Sequence, residues 1–172
     1  AIELLFEEMP TRPTANAIFR EARKIFGDIN IINRDENDIE FSVDKFVAYN
    51  EDNTTSPVVL AMGNITDFDD KVAVSEFERT QIWNVANSEE LLSKYKYAVK
   101  IWDVNAQRQI PKERAIMLVD WLNVALKLYP KCQAIWIKSA GKLQLAQSIK
   151  NLKETGIVKY LYSMVNIRFF NV

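Results

Sequence analysis

Residues 97–137 read YAVKIWDVNAQRQIPKERAIMLVDWLNVALKLYPKCQAIWI, and their order decides the expected fold. An apolar strand (97–104) runs into a polar loop, and Pro111 then stands where a helix opens, its fixed φ and missing N–H costing nothing there. Over 112–129, Ala115, Leu118, Leu122, Ala125 and Tyr129 mark one helical face, and Ile116, Val119, Trp121 and Leu126 widen it. Nearly all-round apolarity predicts a well-buried helix. The stretch CQAIWIKS (132–139) follows as a strand. The same order occurs earlier. IELLFEE (2–8) is a buried strand, Pro13 suits a first helical turn with Thr11 or Arg12 just outside it, and Ala15, Ile18, Phe19, Ala22, Ile25 and Phe26 recur at helical spacing up to Gly27. INII (29–32) is the closing strand. The two units predict an α+β fold, a mainly antiparallel sheet with helices on one face. They define two related strand–helix–strand halves, 1–66 and 95–172, joined by a helical linker within one domain spanning 1–172.

Between these units, DIEFSVDKFVAY (38–49) places Ile39, Phe41 and Val43 on one face and Glu40, Ser42 and Asp44 on the other, the period-two pattern of a half-buried strand. VVLAMGNI (58–65) is a further strand. TDFDDKVAV reads as a linker, Ser75 with Glu78 as a capping box, and Asn87 with Glu90 as a second helix start. KLQLAQSIKNLKETG (142–156) reads as a helix closed by Gly156, and YSMVNIRFFNV (162–172) as a last strand. In that strand Val165, Ile167 and Phe169 face one way, and Met164, Asn166, Arg168 and Phe170 the other.

Apolar residues make up 48% of the 172 and charged residues 26%, an ordinary globular composition for a chain long enough to bury a core without staples. The single cysteine, Cys132, allows no intrachain disulfide, which fits a reducing compartment. No apolar run approaches the roughly 18 residues a membrane-spanning helix needs. The chain starts at Ala1 with no basic-then-apolar leader, so the expectation is a cytoplasmic protein with no membrane contact. The net charge of −1 is unevenly spread: residues 1–130 carry 22 acidic and 15 basic groups, residues 131–172 seven basic and one acidic. The simplest account is that acidic and basic regions neighbour each other in the fold.

The chain contains no histidine. Ser-His-Asp and Cys-His arrangements and histidine zinc sites are therefore absent, and one cysteine removes thiolate zinc sites as well. The four glycines, at 27, 63, 141 and 156, form neither GxGxxG nor a P-loop, so no cofactor is expected. Nucleic acid is not expected either, given a pI of 5.7 and a basic third without interleaved exposed aromatics. Among the carboxylates, Asp67, Asp69 and Asp70 are a weak candidate for Mg²⁺ or Ca²⁺, against the simpler reading of a solvated loop. Asp103 ends a strand, and Asp120 interrupts the apolar helix with Asn123 and Lys127 on the same side. A candidate polar pocket forms if these two acids meet Arg168; otherwise Asp120, Asn123 and Lys127 are that helix's wet stripe. No residue is assigned as catalytic. Cys132 reads as a small buried hydrophobe, and Trp83, Trp102, Trp121 and Trp136 as core.

SEFERTQIWNV, YAVKIWDV, PKERAIMLVDWLNVAL, YPKCQAIWIKSAGKL and VNIRFF occur in an order that resembles a bacterial domain of unknown function, the DUF 4261 family. LLFEEMP is similar to that family's opening strand, and the resemblance spans most of 2–172. It implies a soluble bacterial protein and supplies no catalytic residues. The family pattern continues past the VNIRFF-like strand, so the resemblance implies truncation at the C-terminus. The expected function is a non-enzymatic protein-protein interaction module, in an immunity, adaptor or secretion-associated role. The alternative is a small-molecule or metal-dependent enzyme built from carboxylates.

Overall fold

The structure, a computed structural model, describes residues 1–35, 37–83 and 85–166. Its frame is one seven-stranded, wholly antiparallel sheet of order β2-β3-β4-β5-β1-β6-β7. The strands are β1 (Ile2–Phe6), β2 (Ile29–Arg34), β3 (Asp38–Tyr49), β4 (Thr55–Asp67), β5 (Tyr97–Val104), β6 (Ala134–Ile137) and β7 (Lys142–Leu145). The helices are α1 (Ala15–Phe26), α2 (Asp70–Ala73), α3 (Glu76–Thr80), α4 (Ser88–Lys94), α5 (Pro111–Leu128), α6 (Ala146–Asn151) and α7 (Gly156–Met164). The expected α+β class holds.

Strand β1 lies between β5 and β6, with Leu4 opposite both Val99 and Ile135. Both strand–helix–strand units are therefore crossovers between parallel, non-adjacent strands. The connection β5-α5-β6 steps over β1, and β1-α1-β2 steps over β5, β4 and β3. The two units interleave in one sheet.

Strand alternation sorts the core into two layers. Leu4, Phe6, Phe41, Leu60, Met62, Val99, Ile101 and Ile135 face α1, α5, α6 and α7. An aromatic chain crosses this layer. Phe19 of α1 meets Phe41 edge-on at 6.1 Å, and Phe41 meets Trp121 of α5 at 5.3 Å. Such T-shaped pairs suit the ring quadrupoles. On the opposite face Leu5, Ala98, Ala134, Trp136 and Leu143 pack against Phe68, Val74, Ile82, Leu92 and Tyr95. The linker between the two units thus covers the back of the β5-β1-β6-β7 half.

Helix ends follow local chemistry. Thr14, not Thr11 or Arg12, is the N-cap of α1, its Oγ1 accepting from Ala17 N at 3.2 Å; Pro13 stands just before it. Gly27 closes α1 at φ +78°, as expected. Pro111 occupies the first turn of α5, and Ser75 with Glu78 forms the expected capping box of α3. Asn87 does precede α4, but at φ +56° and without a side-chain cap.

Two expectations near the C-terminus fail. Residues 142–156 are not one helix: Lys142–Leu145 pair with β6, and α6 begins at Ala146. Gly156, at φ +55°, opens α7 rather than closing a helix. Tyr162–Met164 belong to α7 and not to a last strand, and the rest of that expected strand from Ile167 lies outside the described residues. Lys142 shows why a helix is stable there. Its buried Nζ donates to the carbonyls of Tyr162 (2.6 Å) and Val165 (2.8 Å), which neutralises the negative end of α7. Burial pushes this ammonium below its ordinary pKa.

One ion-pair cluster joins the two long helices. Glu21 of α1 takes Lys127 of α5 at 2.6 Å and Lys24 at 2.6 Å. Lys127 first and Lys24 second hold its carboxyl down to about 2, from 4.5. A depressed carboxylate contributes stability that is fully present above 4.5 and lost as pH falls toward 2. Glu21→Gln is expected to lower the melting temperature at pH 7, with the gap to the wild type closing between pH 4.5 and 2. Thermal melts across that range measure it.

Candidate functional site

A cavity of about 580 Å³ opens where the end of β5, the start of α5, the turn Lys138–Ala140 and α7 converge. The alternation of β5 sends Asp103 and Ile101 to its wall, and the helical stripe Pro111, Arg114, Ala115 and Leu118 forms the opposite side. Tyr160, half-buried, adds aromatic surface. Asp103 and Arg114 close on each other: Arg114 Nε donates to Oδ2 at 2.7 Å and Nη2 to Oδ1 at 3.3 Å. The carboxylate is 8% exposed and the guanidinium 39%. This forked geometry holds Arg114 above its ordinary pKa, the Asp103 hydrogen bond being the main cause.

Of the two described residues among the three expected to share a polar pocket, one is in the cavity. Asp103 lines it and is engaged by Arg114. Asp120 does not line it. It lies six residues beyond Arg114, roughly 120° around the helix. Arg168 lies outside the described residues. Among the described residues, Arg114 is the cation that pairs with Asp103.

Asp120 is half-buried and pushed above its ordinary pKa by burial, against the pull of Lys45 and Lys159. A raised carboxylate means that ionisation costs the native state, and the cost disappears as pH falls through the native pKa. Asp120→Asn is expected to raise the melting temperature at pH 7 and to lose this advantage below pH 4. Scanning calorimetry at the two pH values checks it. Asn123 borders a shallow groove with Glu21, Lys24 and Lys127, and Lys127 pairs with Glu21 rather than with Asp120.

The Asp67, Asp69 and Asp70 cluster has structural work. Asp69 caps α2 by accepting from Lys71 N at 3.0 Å, and Asp70 pairs with Arg79 at 2.9 Å. Among the described residues no three acidic or cysteine side chains are grouped to hold a metal ion. Cys132 is buried, its thiol donating to Ala134 O at 3.2 Å, and burial pushes its pKa to about 12. That is a packed hydrophobe and no nucleophile. The basic C-terminal region, 131–172, meets acids from the rest of the chain: Lys138 acts on Glu3 and Glu78, and Lys159 on Asp120. Among the described residues no helix is long and apolar enough to cross a membrane.

The tryptophans divide. Trp121 and Trp136 are fully buried, and Trp102 is half-buried. Trp83 is not core: it is 59% exposed, with Phe77 at 73% and Val72 at 81%. These three stand on or just beyond α2 and α3. Arg79 ties this segment down. Its guanidinium reaches the carbonyls of Asp70 (2.6 Å) and Val74 (3.2 Å) and the carboxylates of Asp70 and Glu89. Trp83 Nε1 donates to Thr80 O at 2.7 Å, which fixes the indole. Sequence reading took Trp83 as core because QIWNV looks apolar; Ile82, its neighbour, is the residue that turns inward.

No protein-family model, curated protein or solved structure matches the chain.

Proposed function

We propose that the chain is a non-enzymatic protein-protein interaction module whose anchors are Val72, Phe77 and Trp83. The observation that carries this reading is the exposure of these three large apolar side chains on a segment braced by Arg79. Aromatic side chains held in fixed positions are the usual anchors of interfaces, because little entropy is lost when they dock. The segment around them is acidic. Residues 67–90 carry Asp67, Asp69, Asp70, Glu76, Glu78, Glu89 and Glu90 against Lys71 and Arg79. The partner that fits is a protein with an apolar pocket rimmed by lysine and arginine. Charge complementarity of this kind speeds encounter and fixes register. The reading includes the setting expected from the sequence, a bacterial cytoplasm, where a single buried thiol suits the reducing milieu. The alternative of a carboxylate enzyme lacks support from the geometry, since Asp103 is occupied by Arg114 and Asp120 lies off the cavity.

The test is affinity capture from the host with wild-type protein and with Phe77→Ser/Trp83→Ser, at low and high salt. Expected is one stoichiometric partner that is lost with the double variant and weakened by salt. Equal capture by the double variant, or no stoichiometric partner at either salt, overturns the reading.

A further inference from the structure

The anchors Val72, Phe77 and Trp83 call for an apolar pocket with a basic rim, and the chain itself carries one. A groove of about 360 Å³ lies between the loop that joins β1 to α1 and the turn that joins α5 to β6. Three of the chain's five prolines, Pro10, Pro13 and Pro130, line it. Proline fixes φ, so these walls are set before a guest arrives and little entropy is lost on docking. Leu128 and Met9 add apolar surface, and Met9 is 66% exposed. Aromatic rings and prolines are matched surfaces, the pairing that Pro-rich recognition uses. Among the described residues, the charged ones that line the groove are Arg12 and Lys131, both basic. Lys150 adds a third ammonium, donating to the Pro130 carbonyl at 2.9 Å. Glu7 and Glu8 stand in an adjoining groove that shares Met9 and Lys131, so cations are in excess at this end of the molecule.

We infer that the occupant of this groove is a second copy of the chain, which inserts Trp83 and sets its acidic segment 67–90 against Arg12, Lys131 and Lys150. The inference rests on the reading of Val72, Phe77 and Trp83 as anchors and names their partner. Charge complementarity carries it. The anchor segment holds seven acidic residues against two basic ones, and the charges that line the groove are basic. The size fits as well, since about 360 Å³ lies at the lower end of the roughly 300–1,000 Å³ of preformed pockets and suits one ring rather than a larger ligand. Trp83 enters without stranding a donor, because its Nε1 already holds Thr80 O at 2.7 Å. Anchor and groove share no residue, so one copy can offer its anchor while another offers its groove.

Sedimentation velocity of the full chain, from micromolar to millimolar concentration, tests it. Self-association is expected at low salt and should weaken at high salt, which screens the exposed rim charges. Phe77→Ser/Trp83→Ser removes the anchor. Thr11→Trp/Lys131→Glu, at two exposed positions, fills the groove and reverses its charge. Each double variant alone is expected to lose at least tenfold in association constant. Mixed together, the two are expected to form a one-to-one complex, because the intact anchor of one meets the intact groove of the other. A wild type that stays monomeric throughout, a folded variant that associates as the wild type does, or a mixture without complex overturns the inference. If one double variant does not fold, the other decides alone. A monomeric chain that still captures a different host protein through Phe77 and Trp83 overturns the second copy as partner and leaves the anchor reading standing.

Discussion

Trp121→Ala is expected to destabilise the protein by about 3–5 kcal/mol, the cost of removing a large aromatic side chain from a packed core. The side chain is fully buried where α5 crosses the sheet. Its ring takes Phe41 edge-on, and its Nε1 donates to Ala61 O at 3.2 Å. One substitution therefore opens a cavity between α5 and β3, breaks the aromatic chain that links α5 to α1 through Phe41 and Phe19, and removes a hydrogen bond to β4. A domain of ordinary stability has about 5–15 kcal/mol in total. The variant should melt roughly 6–20 °C lower, at about 2–4 °C per kcal/mol for a chain of this size. Trp121→Phe separates the contributions. It keeps most of the volume and loses the hydrogen bond, so a cost of about 1–2 kcal/mol is expected. Equal losses in the two variants would assign the effect to the hydrogen bond and not to packing. Urea unfolding followed by far-ultraviolet circular dichroism measures both.

The sequence was most legible where one residue pattern excluded the alternatives. Strands β3 and β5 fall on the expected bounds, 38–49 and 97–104, and in β3 the alternation of Ile39, Phe41 and Val43 with Glu40, Ser42 and Asp44 fits no helix. The long helix after Pro111 was equally plain, since apolar residues nearly all round it leave burial as the only stable outcome. Reading failed where a short element depends on its neighbours. Leu143, Leu145, Ala146, Ile149 and Leu152 are spaced as well for a helix as for a strand followed by a helix. Only the pairing of Trp136 with Leu143 across the β6–β7 ladder decides between them. Residues 162–164 open the stretch expected to be a strand, but α7 is held by contacts with α5 and by the Lys142 ammonium at its end. A lysine distant in sequence cannot be seen in a local window.

The site was half legible. Asp103 stood out as an acid at a strand end. Its true partner, Arg114, is set by the length of the loop from Asn105 to Ile110 and by the phase of α5. The stripe Pro111, Arg114, Ala115 and Leu118 has the i, i+3, i+4, i+7 spacing of one helical face, and that face lines the cavity. Asp120 was noticed as a polar break in the helix, but the same phase carries it off the stripe. Phase arithmetic on α5, anchored at Pro111, could have separated the two residues from sequence.

Arg114→Met is expected to cost about 2–3 kcal/mol at pH 7, whereas Asp103→Asn with Arg114 in place should cost less. The asymmetry follows from burial. Asp103 is 8% exposed, so removal of the guanidinium leaves a carboxylate charge in a site that water barely reaches. Breaking a buried pair from one side typically costs about 3–5 kcal/mol. The lower figure here allows for Arg114 being 39% exposed, so that solvent already screens part of the attraction. In Asp103→Asn the leftover guanidinium can turn toward water on its flexible stem, and the amide still accepts one hydrogen bond. In Arg114→Met/Asp103→Leu the second change should recover much of the loss, because two apolar side chains leave no charge stranded. A double variant no better than Arg114→Met would mean that Arg114 stabilises the start of α5 by packing alone. Denaturant unfolding of wild type, Arg114→Met, Asp103→Leu and the double variant at pH 7, analysed as a double-mutant cycle, distinguishes charge from packing.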